Sequence, residues 1–349
     1  MKTITNAEIK KRKNRHHSLA GYSREQGRTG RLRVYVAALI ICLAVIVTGC
    51  STNDEDGDEY VPSPDTVFSV NGEEISNGEW NLYAVPEMQK AEKLYGEDIW
   101  QYRVNEDGKL FSEVMREEIR KKIASVKIVA GRAAEMGISL SEDDQLEISI
   151  QTADYMEKLT PDEKSRYEIT EETVKKVYSD NLLASKVYEH LTLNVDTSAS
   201  EEEVRHMQLQ YVTVSKSYED EEGNTVHYSD SEVIEIRNRL SKFVDKAHSG
   251  EYATLGEVPS EEFTVTDIVA GLDDLKERFP EELAGTAFWL RANEITDIFE
   301  TEEAFFVFDC VKLRDNEATD KATIELIESR EKEVFDEKYA EWAKEAVIK

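Results

Sequence analysis

At 349 residues, with 40% hydrophobic and 9% aromatic residues, the chain is long enough for two modest domains with real cores and is not a disordered polymer. Its formal charge of −30 hides a basic head and an acidic body: residues 1–49 carry 10 Lys/Arg and 2 Asp/Glu, leaving 33 and 71 beyond them, a body charge of −38. A field of that sign repels phosphates and anionic headgroups, which argues against nucleic acid as a partner.

The head closes with "RLRVYVAALIICLAVIVTGC", in which Arg31 and Arg33 precede an uncharged apolar run from Val34 to Val47. A run of about 14 to 16 residues suits a signal-peptide core, whereas a membrane span needs roughly 20. The positive flank, kept on the cytoplasmic side, orients it. Val47-Thr48-Gly49-Cys50 then resembles the lipobox of bacterial lipoproteins. That resemblance implies a lipid on Cys50, cleavage before it, anchoring on the extracytoplasmic face of the membrane, and a mature fold without residues 1–49. The alternative is an uncleaved anchor with a chance Cys. A lipidated Cys50 cannot pair with Cys310, so no disulfide framework is expected. Cys310, in an apolar strand, reads as a small core residue rather than a nucleophile.

Residues 50–64 are acidic and end on Pro62 and Pro64, the composition of a solvated tether. A calcium loop counted back from Gly57 puts its twelfth position on Ser63, where the bidentate Glu is missing, so the metal reading fails. No cofactor motif is present either.

Residues 65–199 read as a helical domain. "TVFSVNGEEIS" makes a short strand ending in the tight-turn pair Asn71-Gly72. Phe111, Met115, Ile119, Ile123, Val126 and Val129 then recur at helical spacing, with Gly137 as a stop. Ser141 with Asp144, and Thr160-Pro161 with Glu163, mark two helix starts; Thr170 begins a further helix to about Leu193. Tyr155, Met156, Tyr167, Tyr178 and Tyr188 read as core, although exposed members of such a set could hold unfolded chains. "VFSVNGEEISNGEWNLY", "AEMGISLSEDD" and "ITEETVKKVYSDN" resemble the N-terminal region of the extracytoplasmic foldases that include the PrsA lipoproteins and SurA chaperones. The resemblance implies partly folded exported polypeptides as partners.

Residues 200–314 follow the order strand, helix, strand, short helix and two strands, an α+β sandwich with one helical face. Ser200 and Glu203 form a capping box, "EVRHMQLQYVTV" alternates as a strand, and "SYEDEEGNTVHYSD" is a polar insert. The next helix sets Val233, Ile236, Leu240, Phe243 and Val244 on one face. Strand "FTVTDIVAG", helical turns in "DLKERFPEELAGTAF" and a last strand pair complete it. The order and the stretch "AFWLRANEITDIFETEEAFFVFDCVKL" resemble the parvulin-type prolyl isomerase domain, a βα3βαβ2 fold. The resemblance puts Phe306 where that family keeps a His, Gln208 at its other His position, and Asp267 as a counterpart of its acidic or Cys residue. His206 lies two residues early, on the same alternating face as Gln208 and Gln210, and a two-residue slip would bring it to the site.

Residues 315–349 form a last helix with Ile327, Val334, Phe335, Tyr339 and Trp342 on one stripe, which by resemblance returns to the helical domain. The whole implies a membrane-tethered foldase with weak or lost isomerase activity. An active isomerase is the first alternative, and a solute-binding lipoprotein with two parallel-sheet lobes is the second. No Gly-x-Ser-x-Gly, HExxH or P-loop spacing supports a hydrolase.

Overall fold

A computed structural model describes residues 67–104 and 108–349. The expected signal segment 1–49, the lipid site Cys50 and the tether 50–64 lie outside the described residues. The fold is α+β. It divides into two compact units, one formed by residues up to Asn194 together with Val334–Lys349, the other by Val195–Glu333.

The first unit opens with a hairpin, β1 (Phe68–Val70) against β2 (Glu73–Ile75). Asn71 and Gly72 form its turn at φ of 50° and 84°, the left-handed pair that a two-residue hairpin demands. Ser76 accepts the Glu79 N–H to start α1 (Asn77–Tyr95). A single 3-10 turn at Glu97–Gln101 precedes α2 (Phe111–Gly131). The cap pairs Ser141/Asp144 and Thr160/Glu163 start α3 (Glu142–Lys158) and α4 (Pro161–Arg166), and Thr170 starts α5 (Glu171–Thr192). Ile119, Ile123, Val126 and Val129 of α2 are all buried, as their spacing predicts. The five Tyr and Met positions read as core are only half-buried. Gly78 permits the tightest approach in this unit. A Cβ there would lie 2.2 Å from the Glu168 carbonyl oxygen, so no larger residue fits without moving backbone.

Five charges run through the middle of this unit. Lys127 of α2, with its side chain 3% exposed, contacts Glu79 of α1 at 2.7 Å, Glu73 of β2 at 2.7 Å, and Asp180 of α5. Lys176 of α5 adds a contact to Glu79 at 3.0 Å and another to Glu73. Burial disfavours the Lys127 ammonium, but the three carboxylates outweigh it and hold the group well above its ordinary range. The network therefore ties hairpin, α1, α2 and α5 together through one buried cation.

In the second unit Ser200 caps α6 (Glu201–Val204), followed by β3 (Met207–Ser215). The polar insert forms a hairpin of β4 (Ser217–Glu219) and β5 (Thr225–His227). Its turn closes through Asp220, whose carboxylate accepts the Glu222 and Asn224 N–H groups, with Gly223 at φ of 83°. Then come α7 (Asp230–His248), β6 (Thr266–Ala270), α8 (Leu272–Arg278), α9 (Glu281–Phe288), β7 (Phe299–Glu300) and β8 (Ala304–Lys312). One long helix and a 3-10 turn at Leu255–Glu257 thus stand where the resembled fold has three helices, because residues 249–265 carry no apolar periodicity to build another. The sheet runs β6-β3-β8-β7, antiparallel throughout.

Alternation along β3 and β8 gives that sheet two different faces. Met207, Leu209, Phe308 and Cys310 bury against Leu275, Leu283 and Phe288 of α8 and α9. Val212, Phe305 and Val307 bury against Ile236, Leu240, Phe243 and Val244 of α7, the face read from spacing.

Helix α10 (Asn316–Glu345) continues to the C-terminus. In the first unit Phe335 lies 5.1 Å from the Tyr188 ring, and Tyr339 donates to or accepts from Ser125 Oγ at 2.6 Å. Phe335, Tyr339 and Trp342 follow helical spacing, but Val334, one position earlier and about 100° around the helix, is 38% exposed and leaves the expected stripe. The last residues pair with β1, Ser69 N–H donating to the Lys349 carbonyl at 2.8 Å and Lys349 N–H returning to the Ser69 carbonyl at 3.0 Å.

Candidate functional site

The four candidates in the sheet unit do not converge. His206 sits just before β3, where its Nδ1 lies 2.9 Å from the Val204 carbonyl and its Nε2 lies 3.1 Å from the Asp274 carboxylate at the start of α8. Both ring nitrogens face acceptors, and the Thr319 hydroxyl accepts the His206 N–H. The residue is a latch between β3, α8 and α10. Gln208 donates to Asp315 at 2.7 Å, and Asp315 in turn accepts the Ala318 N–H at the start of α10. The Ala318 N–H, and then the Gln208 amide, hold Asp315 below the usual carboxylate range. Gln208 therefore supports a helix cap.

Register decides the rest. Gln208 pairs with Lys312 of β8, while Phe306 pairs with Thr213 of β3. Six residues of β8 separate the two pairings, roughly 20 Å of extended chain. They cannot share a pocket. The register shifts between Gln208, opposite Lys312, and Leu209, opposite Cys310, which leaves Val311 of β8 as the extra residue and the alternation of β3 itself unbroken. Asp267 pairs with Gln210, on the sheet face opposite Ile268, whose side chain belongs to the α8 and α9 core. Since Phe306 packs against that same core, Asp267 and Phe306 lie on opposite faces.

What surrounds Phe306 is aromatic. Its ring stands edge-on to Phe279 at 6.1 Å. Phe279 also meets Phe308 at 4.9 Å and Tyr211 at 5.2 Å, and Tyr211 stacks on Phe308 at 5.5 Å. Tyr211 and Phe279 went unread in the sequence. Alternation along β3 sets Tyr211 on the face opposite Gln208 and Gln210, but only the pairing of β3 with β8 shows that Phe306 shares that face. Beside this cluster, the Arg205 guanidinium lies 4.2 Å from the Phe288 ring and 5.1 Å from Trp289, which is 59% exposed. The face offers apolar contact and two hydroxyls, those of Tyr211 and Thr213, while the His206–Asp274 pair sits at the starts of β3 and α8, several residues along the strand from the Thr213–Phe306 pairing.

Two buried groups lie nearby on the strand. Cys310 is fully buried, and burial pushes its thiol up to about 11, which leaves no thiolate at neutral pH. Asp309 is also fully buried; burial raises its carboxyl, with the Leu255 N–H as its donor at 2.9 Å.

A second apolar surface lies in the helical unit. Leu94, Tyr95 and Tyr102 are each more than 60% exposed, around the half-buried Trp100 and Phe111, whose rings meet at 5.6 Å. Among the described residues there is no cluster of three or more His, Cys, Asp or Glu suited to a metal, and no helix long and apolar enough to cross a membrane.

No protein-family model matches the chain. The foldase protein PrsA of Caldanaerobacter subterraneus subsp. tengcongensis is 24% identical over 331 residues, covering 91% of this chain and 96% of the relative. Among solved structures, the peptidylprolyl isomerase PrsA of Bacillus cereus is similar at 12% identity and a TM-score of 0.31, over 80% of this chain and 92% of that one. The foldase PrsA of Lactococcus lactis is similar at 14% and 0.29 over 82% and 95%, and a SurA-like chaperone of Campylobacter jejuni at 9% and 0.28 over 82% and 98%. The chain is PrsA-like along nearly its whole length.

Proposed function

We propose that this protein is a membrane-tethered extracytoplasmic foldase that holds partly folded exported chains, and that its sheet unit has weak or no prolyl isomerase activity. Likeness to a PrsA foldase over 91% of the chain supports the first half. The observation that carries the second half is the aromatic packing of Phe306 against Phe279, with His206 and Gln208 engaged elsewhere, on Asp274 and Asp315. Isomerisation must pass a barrier of about 20 kcal/mol, and its catalysis asks for donors aimed at the twisted amide in a dry pocket. An aromatic cluster supplies the dryness and little else. Tethering rests on the lipobox-like Val47–Cys50 and the apolar run before it.

An active isomerase is the second reading, favoured by the Tyr211 and Thr213 hydroxyls beside Phe306. A refolding assay on a substrate limited by proline isomerisation separates the two. Aggregation suppression at stoichiometric amounts without rate acceleration is the expected result; acceleration at catalytic amounts, lost in Tyr211→Phe, would establish the active version. A solute-binding lipoprotein is disfavoured, since it calls for parallel-sheet lobes and every named strand pair here is antiparallel.

A further inference from the structure

We propose that the outer edge of β6 takes up an extended polypeptide segment as an added antiparallel strand, and that a Lys or Arg of that segment enters the acidic pocket beside Asp267. The proposal rests on the reading of the protein as a binder of exported chains and names the segment chemistry that such binding selects.

The two edges of the sheet are built differently. At one, β7 spans only Phe299–Glu300, too short to template a partner. At the other, β6 offers five residues, Thr266–Ala270, paired to β3 on its inner side. Exposed edges are ordinarily blunted by Pro, Lys, a bulge or brevity, because a row of free N–H and C=O groups invites another chain. This edge has no Pro, no Lys and no bulge in its pairing with β3, and its one charge, Asp267, repels an acidic strand while admitting a basic one. Thr266, Asp267 and Val269 are exposed, Val269 at 49%. An extended backbone is the ligand that such an edge fits.

Selectivity comes from the face that Asp267 shares with Val269. There a cavity of about 530 Å³ is lined by Gln210, Thr254, Glu257, Ser260, Phe263 and Asp267, among others. Its carboxylates are oriented: Asp267 Oδ1 accepts from the Gln210 amide at 2.9 Å, and the Gln210 oxygen accepts the Gly256 N–H at 2.7 Å. Glu257 Oε2 accepts the Ala253 N–H at 3.0 Å. Each carboxylate thus keeps its other oxygen, and neither meets a Lys or Arg among the described residues. Gly256 makes the arrangement possible, since a Cβ there would lie 2.8 Å from the Gln210 amide nitrogen. A residue opposite Asp267 in an added strand would place its Cβ about 5 Å from that of Asp267 on the same face. A cation there gains both free carboxylate oxygens, and its stem or guanidinium can lie against Phe263. In the antiparallel sense the residue two positions earlier faces Val269, so the preferred segment reads apolar, any residue, then Lys or Arg.

The probe is a fluorescein-labelled peptide of sequence Ser-Thr-Val-Thr-Arg-Thr-Ser, titrated with the full mature chain by fluorescence anisotropy. We expect saturable binding, weakened at least tenfold when Arg is replaced by Glu and at least tenfold when alternate backbone amides are N-methylated. Asp267→Asn with Glu257→Gln, both at exposed positions, should reduce the Arg peptide to the level of its Ala counterpart. Equal binding of the N-methylated peptide, indifference to Arg against Glu, or no binding by any peptide would overturn the proposal. Aggregation suppression by the unaltered protein is measured in parallel. Suppression without peptide binding refutes the edge and leaves the foldase reading; peptide binding without suppression refutes that reading and leaves the edge.

Discussion

Replacing Lys127 by Met removes the cation that three carboxylates share while keeping most of the side-chain volume. Glu79, with its side chain 3% exposed, would keep only Lys176 at 3.0 Å, itself 40% exposed, and Asp180 would lose its nearest cation. Breaking a buried pair by removing one partner leaves an uncompensated charge and costs about 3–5 kcal/mol. For a unit of this size each kcal/mol moves the midpoint by about 3 °C, so a fall of about 10–15 °C is expected. Thermal unfolding followed by far-UV circular dichroism and calorimetry reads it. Adding Glu79→Gln to Lys127→Met should recover part of the loss, because the stranded charge disappears with it. A loss below about 1 kcal/mol, or no recovery in the double variant, would show that the network is solvated and that packing alone joins the hairpin to the helices.

Gly78→Ala should destabilise by at least 2 kcal/mol in urea unfolding, since its Cβ meets the rigid Glu168 carbonyl at 2.2 Å; a neutral result would mean that the loop at Glu168 yields freely. Asp309→Asn tests the buried carboxyl by pH. A carboxyl raised in the fold contributes stability that is full below its unfolded value and lost as pH rises through the folded one. The Asn variant should therefore be more stable than the unaltered protein at pH 7 to 8, with the gain fading towards pH 4, as urea unfolding across that range would read. In a chain beginning at Ser51, Cys310 is the sole thiol and should react with maleimide at pH 7 only on unfolding, as its burial and raised thiol require. Phe306→His with Gln208→His should leave proline-limited refolding unaccelerated, because register holds the two positions apart.

Much of the architecture was legible in local pattern. The Asn71-Gly72 turn, the caps at Ser141, Thr160, Thr170 and Ser200, and the buried stripes of α2 and α7 each depend on residues within a few positions of one another, so short-range chemistry specifies them. The hairpin in the insert was missed because its strands are three residues long and polar, held by Asp220 rather than by an apolar face. The candidate site fared worse. Phe306 was placed on a strand, but the aromatic neighbours it packs with were not found, because Tyr211 comes from β3 and Phe279 from the end of α8, dozens of residues away.

By itself the sequence determined the fold class, the helix starts, the acidic character of the body and the absence of a His at position 306. Only the tertiary structure decided which residues meet. The register of β3 on β6 and β8 and the packing of α8 and α10 put Gln208 against a helix cap, His206 against Asp274, Asp267 on the far face, and Tyr211 and Phe279 beside Phe306. A strand's alternation names two faces, but a one-residue slip exchanges them, and the choice is made by long-range packing that no local pattern encodes.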